Sequence, residues 1–162
     1  MKAPRKAVLA GVLLAMAGTA TASDSVPTAS LRPAADREAC ASENLVLDGA
    51  KSLLALCVKT AMFRNDEYTL KIDGQSVATG IDDETTHGVT GQFGDRPVGL
   101  VCTPVHEKRG EPTPGLVEAF MKKGMSEEQA RKTADLTTTV EAARDCAVSV
   151  SDTVRWNVRV QF

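Results

Sequence analysis

The sequence of 162 residues contains 19 basic and 21 acidic residues, a net charge of −2, and 4% of its residues are aromatic. The acidic balance argues against a polyanionic partner such as a nucleic acid or an anionic membrane surface. The scarcity of aromatic side chains weighs against a groove that stacks nucleobases or sugar rings.

Residues 1–22 have the three parts of a secretory signal peptide: a positively charged start, an apolar stretch and small residues at the exit. The apolar stretch 7–17 is too short to span a bilayer, which takes roughly 20 residues. We therefore expect the signal to be cleaved and the mature protein to be periplasmic or secreted, without stable membrane insertion. Cleavage removes Lys2, Arg5 and Lys6 from the 19 basic residues and leaves 16 against 21 acidic ones, so the mature chain is predicted to be more acidic.

The mature length is that of one domain, and residues 37–162 are predicted to form a single α+β domain. Residues 23–36 are small and polar and include prolines, which predicts a flexible leader. Residues 37–48 fit either a short helix carrying Cys40 or a loop that runs into a strand. Residues 52–63 are apolar on both faces and fit a central strand or a buried helix.

Residues 68–105 show the period-two alternation and the turn signals that are typical of a β-meander. Asp73 and Gly74 mark one of its hairpin turns. Residues 81–91 are polar and acidic, which predicts an exposed loop. The segment 72–84, IDGQSVATGIDDE, resembles strand-turn-strand segments of transthyretin-like extracellular sandwiches, and the resemblance is confined to this segment.

Beyond the meander the apolar period changes from strand-like to helical. Thr113 and Pro114 provide the start of one helix, which ends before Gly124. Ser126 and Gln129 form the capping box of a second helix. Together these signals predict a helical hairpin.

The C-terminal residues 154–162 alternate between apolar and polar side chains and are predicted to form a hairpin with residues 147–150. The patterns together predict an α+β fold. In this fold a mainly antiparallel β-sheet, made of the meander and the C-terminal hairpin, has the helical hairpin at about 114–144 packed on one face.

Four cysteines follow the signal, and an even number in an oxidising compartment predicts two structural disulfides. Three pairings are possible from sequence alone. We favour Cys40–Cys57 with Cys102–Cys146, because Cys102 lies near a strand end and Cys146 begins the strand that returns after the helices. No pair has the C-x-x-C spacing of a redox centre or zinc knuckle, so no metal site is predicted.

The sequence contains no nucleophile elbow, zinc-protease motif or phosphate-binding loop, so we predict no catalytic residue and no cofactor. Asp82, Asp83 and Glu84 form an acidic cluster near His87. The cluster fits an exposed turn, a contact for a basic partner or a weak metal site. His87 fits a solvated histidine or a general base held by a carboxylate. These four residues are our candidate partner contact.

Small size, export, disulfides, acidic charge and the lack of a catalytic motif favour a binding protein of the cell envelope. We expect an inhibitor- or immunity-type protein that masks another envelope or secreted protein with a basic surface. The second interpretation is a structural or accessory envelope protein. The third is a hydrolase whose site is not recognised from its sequence.

Overall fold

A computed structural model describes residues 25–62 and 64–162, so the predicted signal peptide at 1–22 lies outside the described residues. Within them the chain forms nine strands and three helices. The strands are β1 (Thr28–Leu31), β2 (Glu38–Leu47), β3 (Ala50–Lys59), β4 (Glu67–Ile72), β5 (Gln75–Ile81), β6 (Val89–Phe93), β7 (Arg96–Lys108), β8 (Thr139–Val150) and β9 (Thr153–Gln161). The helices are α1 (Asp82–His87), α2 (Pro114–Lys122) and α3 (Glu127–Thr138).

The strands form two sheets. The smaller sheet has the antiparallel order β2-β3-β4-β5. The larger sheet has the order β1-β9-β8-β7-β6, in which β1 runs parallel to β9 and the other neighbours are antiparallel. The prediction of an α+β fold with mainly antiparallel pairing is therefore confirmed.

One hydrophobic core, contributed by both sheets, lies on their inward faces and is mostly aliphatic. Leu54, Leu56 and Val58 alternate along β3 and are completely buried, as the period of a strand requires. Because β3 is hydrogen-bonded to β2 on one side and β4 on the other, residues 50–59 form a central strand and not a buried helix. Trp156 on β9 is the largest fully buried side chain of the described residues.

The segment expected to be a flexible leader contributes a short strand. Residues 28–31 form β1, which pairs in parallel with β9, from Thr28 beside Asn157 to Leu31 beside Val160. The side chain of Leu31 enters the core, and the backbone of β1 is hydrogen-bonded to β9. These two contributions explain why this polar segment forms a strand. Residues 37–48, for which a helix or a loop and strand were both possible, form β2.

The predicted meander is divided between the two sheets. Strands β4 and β5 belong to the smaller sheet, whereas β6 and β7 belong to the larger one. Residues 82–87, expected within an exposed loop, form α1, which spans this change of sheet. Thr85 is completely buried on the inner side of α1. The alternation of apolar and polar residues shows that a strand has a buried face but not which sheet the strand joins. For this reason the sequence predicted one meander where the structure has strands of two sheets.

Strands β5 and β6 approach each other very closely where the chain changes sheet. A Cβ atom on Gly91 would lie 1.6 Å from the backbone carbonyl oxygen of Val77. Glycine is therefore required at this position, because a side chain would force the two backbones apart.

The two longer helices form the connection between β7 and β8, which we call the helical excursion (residues 109–138). Lys108 is paired with Thr139 at its base. The second helix ends at Thr138 and not near residue 144, because residues 139–144 pair with β7 as part of β8. Ala130 and Ala134 are fully buried but lie outside the main core. The two helices therefore pack chiefly against each other rather than across a face of a sheet.

Both favoured disulfides are present. Cys40–Cys57 joins directly paired residues of β2 and β3, and Cys102–Cys146 joins directly paired residues of β7 and β8. Cys40 is exposed on the outer face of the smaller sheet, whereas Cys102 and Cys146 belong to the core. The second disulfide closes a segment with a sequence separation of 44 that contains the helical excursion.

Candidate functional site

The four predicted contact residues lie on α1. Asp83, Glu84 and His87 are exposed, and Asp82 is partly buried. Glu84 accepts a hydrogen bond from the backbone N–H of Ile81 at 3.0 Å, so its carboxylate helps to start the helix. The Nδ1 atom of His87 donates to the backbone carbonyl of Asp83 at 2.8 Å. The structure therefore brings the predicted residues together on one short helix.

A shallow groove of about 570 Å³ runs along the exposed side of α1. Asp83, Glu84 and His87 line it together with residues of β5 and β6, among them Thr79 and Val89. Two of its lining residues, Asp83 and Glu84, are acidic. The arrangement can receive a cationic side chain from a partner, because carboxylates are strong acceptors for lysine and arginine.

A buried arginine, Arg144 of β8, is hydrogen-bonded to the inner side of α1. Arg144 is 5% exposed. Its Nη1 atom donates to the carbonyl oxygen of Asp82 at 2.7 Å and to Oγ1 of Thr86 at 3.1 Å. Its Nε and Nη2 atoms donate to the two carboxylate oxygens of Glu141. The guanidinium thus links the larger sheet to both ends of α1 and has a counter-charge of its own.

Two further acidic groups complete this network. The Nε atom of Arg144 lies 3.5 Å from Oδ1 of Asp82. The other oxygen of Asp82 accepts a hydrogen bond from the backbone N–H of Asp66 at 3.0 Å. The carboxylate of Asp66 accepts from the backbone N–H of Ala61 at 2.9 Å. Asp82 therefore serves the structure and is the least available of the four predicted contact residues.

The network changes the acid–base properties of its members. Burial raises the pKa of Asp66 above its ordinary value, and the negative charge of Asp82 acts in the same direction. Burial also raises the pKa of Tyr68, whose ring centre lies 6.0 Å from the Arg144 guanidinium. Tyr68 is fully buried, and its hydroxyl has no hydrogen-bond partner among the described residues.

A second candidate surface is the groove between α2 and α3, also of about 570 Å³. Its apolar lining includes Pro112, Val117 and Met121, and its charged lining includes Glu118 and Lys132. The helix α2 buries none of its residues. An apolar helix face without a cover is typical of a surface that contacts another protein.

Among the described residues, one group has the composition of a metal site: Glu38, Cys40 and Cys57 lie close together on β2 and β3. The two sulfur atoms are bonded to each other in a disulfide, so neither is a thiolate ligand in this structure.

Comparison with known proteins gives no relative: no family model, no curated protein and no solved structure matches the chain. In the two described stretches, none of the helices has the length and apolar character needed to cross a membrane. The two disulfides are compatible with an exported protein.

Sequence reasoning missed Arg144 and Glu141, because it assigned both to the end of a helix. The signal that would have found Arg144 is its position two residues before Cys146. Arg144, Cys146 and Val148 all lie on the inward face of β8 and are buried. If the alternation of the strand is continued from Cys146 toward the N-terminus, Arg144 falls on the inward face. A buried arginine at that position needs an acidic group or a carbonyl oxygen as its partner.

Proposed function

We propose that this protein is an exported, disulfide-stabilised binding protein of the cell envelope that masks a basic surface of a protein partner, as an inhibitor or an immunity protein does. The observation that carries the proposal is the fixed position of α1. Asp83, Glu84 and His87 are exposed on a helix that the buried Arg144 holds against the larger sheet.

A fixed acidic helix has two advantages for binding. Side chains that are already in place lose less conformational entropy when a partner arrives, so more of the contact energy remains as affinity. Negative charge at the contact also accelerates the encounter with a basic partner. A helix of only six residues does not hold its shape alone, so the hydrogen bonds from Arg144 supply the order.

The framework supports an extracellular role. Each sheet has one pair of neighbouring strands joined by a disulfide, which favours persistence of the fold in an oxidising compartment. The groove along α1 is shallow, and neither serine nor cysteine is among its lining residues. This geometry fits recognition better than hydrolysis.

The test begins with capture of a partner from a native envelope extract on the immobilised mature chain. Affinity and association rate for that partner are then measured with the double variant Asp83→Asn/Glu84→Gln. Glutamine at position 84 retains an acceptor for the Ile81 N–H, so the helix start is preserved while both charges are removed. We expect an association rate lower by about tenfold at low salt and a weaker salt dependence.

The matched control is Asp36→Asn/Asp152→Asn, which removes two exposed charges elsewhere. Both residues have positive φ values, of 56° and 60°, a conformation that asparagine tolerates. The control should bind like the parent. Equal binding by the α1 variant and the control would remove α1 as the contact surface, and the absence of any stoichiometric partner would overturn the proposed function itself.

A further inference from the structure

The helical excursion has an uncovered apolar face. Met121 on α2 is 42% exposed and Leu136 on α3 is 67% exposed. Val117 and Phe120 on α2 are only partly buried. The excursion stands outside the main core, so the sheets do not cover these side chains.

Some of the charged residues around this face form ion pairs, and others do not. Lys108 forms ion pairs with Glu111 at 3.1 Å and with Asp135 at 2.7 Å. Arg131 forms one with Glu127 at 2.7 Å. Of the charged residues that line the groove, Glu118 and Lys132 have no ion pair within the described part of the chain.

Glu118 and Lys132 belong to the two different walls of the groove, Glu118 to α2 and Lys132 to α3. The groove therefore offers one free negative and one free positive charge on either side of apolar residues. A partner with only basic or only acidic side chains would satisfy one of them. A second copy of the same chain, turned by a two-fold rotation, brings the opposite charge to each.

We propose that two copies of this protein associate through their helical excursions in a two-fold symmetric dimer, with Glu118 of each copy against Lys132 of the other. In such an interface Glu118 of the first copy contacts Lys132 of the second, and Lys132 of the first contacts Glu118 of the second. The same pair of residues therefore occurs twice. Pro112, Val117 and Met121, which line the groove, supply the apolar centre, and the two ion pairs lie at its rim, the usual division of an interface. The dimer surface is separate from α1 and does not depend on the proposed partner.

Sedimentation equilibrium of the full mature chain, from low micromolar to about 1 mM, measures the association. We expect a concentration-dependent dimer. Glu118→Lys places two ammonium groups together at both contacts of the dimer, and Lys132→Glu places two carboxylates together there. Each single variant should therefore dimerise at least about tenfold more weakly than the parent.

Two combinations then restore opposite charges. The double variant Glu118→Lys/Lys132→Glu should dimerise within about threefold of the parent. An equimolar mixture of the two single variants should form a mixed dimer, because each copy then offers the charge that the other needs. Restoration by mixing also shows that each single variant is folded.

The control is Lys123→Glu/Glu128→Lys, which reverses one charge of each sign on the same excursion outside the groove, and it should dimerise like the parent. A chain that stays monomeric up to the highest concentration overturns the proposal. So does a dimer that is insensitive to the single reversals, or one that neither the double variant nor the mixture restores. A captured foreign partner that requires Glu118 and Lys132 while the chain stays monomeric would assign the groove to that partner instead.

Discussion

The Nη1 atom of Arg144 donates a hydrogen bond of 2.7 Å to the backbone carbonyl of Asp82, a residue 62 positions earlier in the chain. This bond joins β8 of the larger sheet to α1, which follows directly from β5 of the smaller sheet. The contact therefore connects the two sheets at the point where the chain passes from one to the other.

Replacing Arg144 tests the strength of this connection. Arg144→Met keeps most of the side-chain volume but leaves Glu141 and Asp82 without their buried counter-charge. Because breaking a buried ion pair from one side leaves an uncompensated charge, we expect the free energy of unfolding to fall by about 3–5 kcal/mol. Urea denaturation measures the loss, and hydrogen exchange should show the amides of α1 opening first. A loss below about 1 kcal/mol would contradict the assigned role.

The raised pKa of Asp66 predicts a pH dependence. Between its ordinary value of 3.8 and the higher folded value, the folded chain binds more protons at Asp66 than the unfolded chain does. The contribution of Asp66 to stability therefore falls as the pH rises through this window and is constant above it. Asp66→Asn keeps an acceptor for Ala61 and should be more stable than the parent at pH 7.

The measurement is the urea midpoint of parent and Asp66→Asn at pH 3.5 and pH 7. The difference should be larger at pH 7, because burial and the charges of Asp82 and Glu141 penalise the ionised form of Asp66 in the folded parent. The positive charge of Arg144 lowers the pKa of Asp66 and so opposes the effect of burial. Both proteins in this comparison therefore keep Arg144. A variant that gains stability only at low pH would have the opposite sign and contradict the burial argument.

Much of the framework was predictable from local pattern. The alternation along β3, β4 and β9, the capping box at Ser126 and the paired cysteines depend on neighbouring residues, so sequence reasoning found them. The division of the strands between two sheets was not predictable, because alternation shows that a strand has a buried face but not which strands cover it. The same limit hid β1, whose order depends on β9 at the other end of the chain.

The candidate site was predicted only in part. The acidic cluster and His87 were identified as neighbours in sequence, and the structure places them on one helix. Arg144 and Glu141 were missed because the helix was extended past Thr138 into residues that form β8. The run of β-branched residues Thr137 to Val140 disfavours a helix and was the available warning.

The two disulfides should contribute unequally. In the chain-entropy relation, sequence separations of 44 and 17 correspond to about 4 and about 3 kcal/mol. Cys102→Ala/Cys146→Ala should therefore destabilise the protein more than Cys40→Ala/Cys57→Ala, and it also leaves a cavity in the core. Guanidinium denaturation of both double variants gives the order. A reversed order would contradict the chain-entropy argument for this protein.

The close approach of β5 and β6 leaves no room for a side chain at position 91. Gly91→Ala would place a Cβ atom on the carbonyl of Val77, so we expect a loss of at least about 2 kcal/mol. Gly115→Ala is the matched control, because nothing lies within 4 Å of the added atom and alanine favours the helix α2. Thermal unfolding should show a lower midpoint for the first variant and an equal or higher one for the second.

The helical excursion should be removable. Replacing residues 109–138 by Asn-Gly joins Lys108 directly to Thr139 through a two-residue turn that suits an antiparallel pair. Because the main core lies outside the excursion, the shortened chain should keep its β-sheet circular dichroism and a cooperative unfolding transition. A molten or aggregated product would show that the excursion supports the sheets.

The parallel pairing of β1 with β9 has a consequence for the order of events during biogenesis. Among the described strands, β1 pairs only with β9, so the larger sheet stays incomplete until β9 has been synthesised. Until then, the edge of β8 that later pairs with β9 stays open to aberrant strand pairing. The larger sheet is therefore completed only after β9 has left the ribosome, however early the smaller sheet forms.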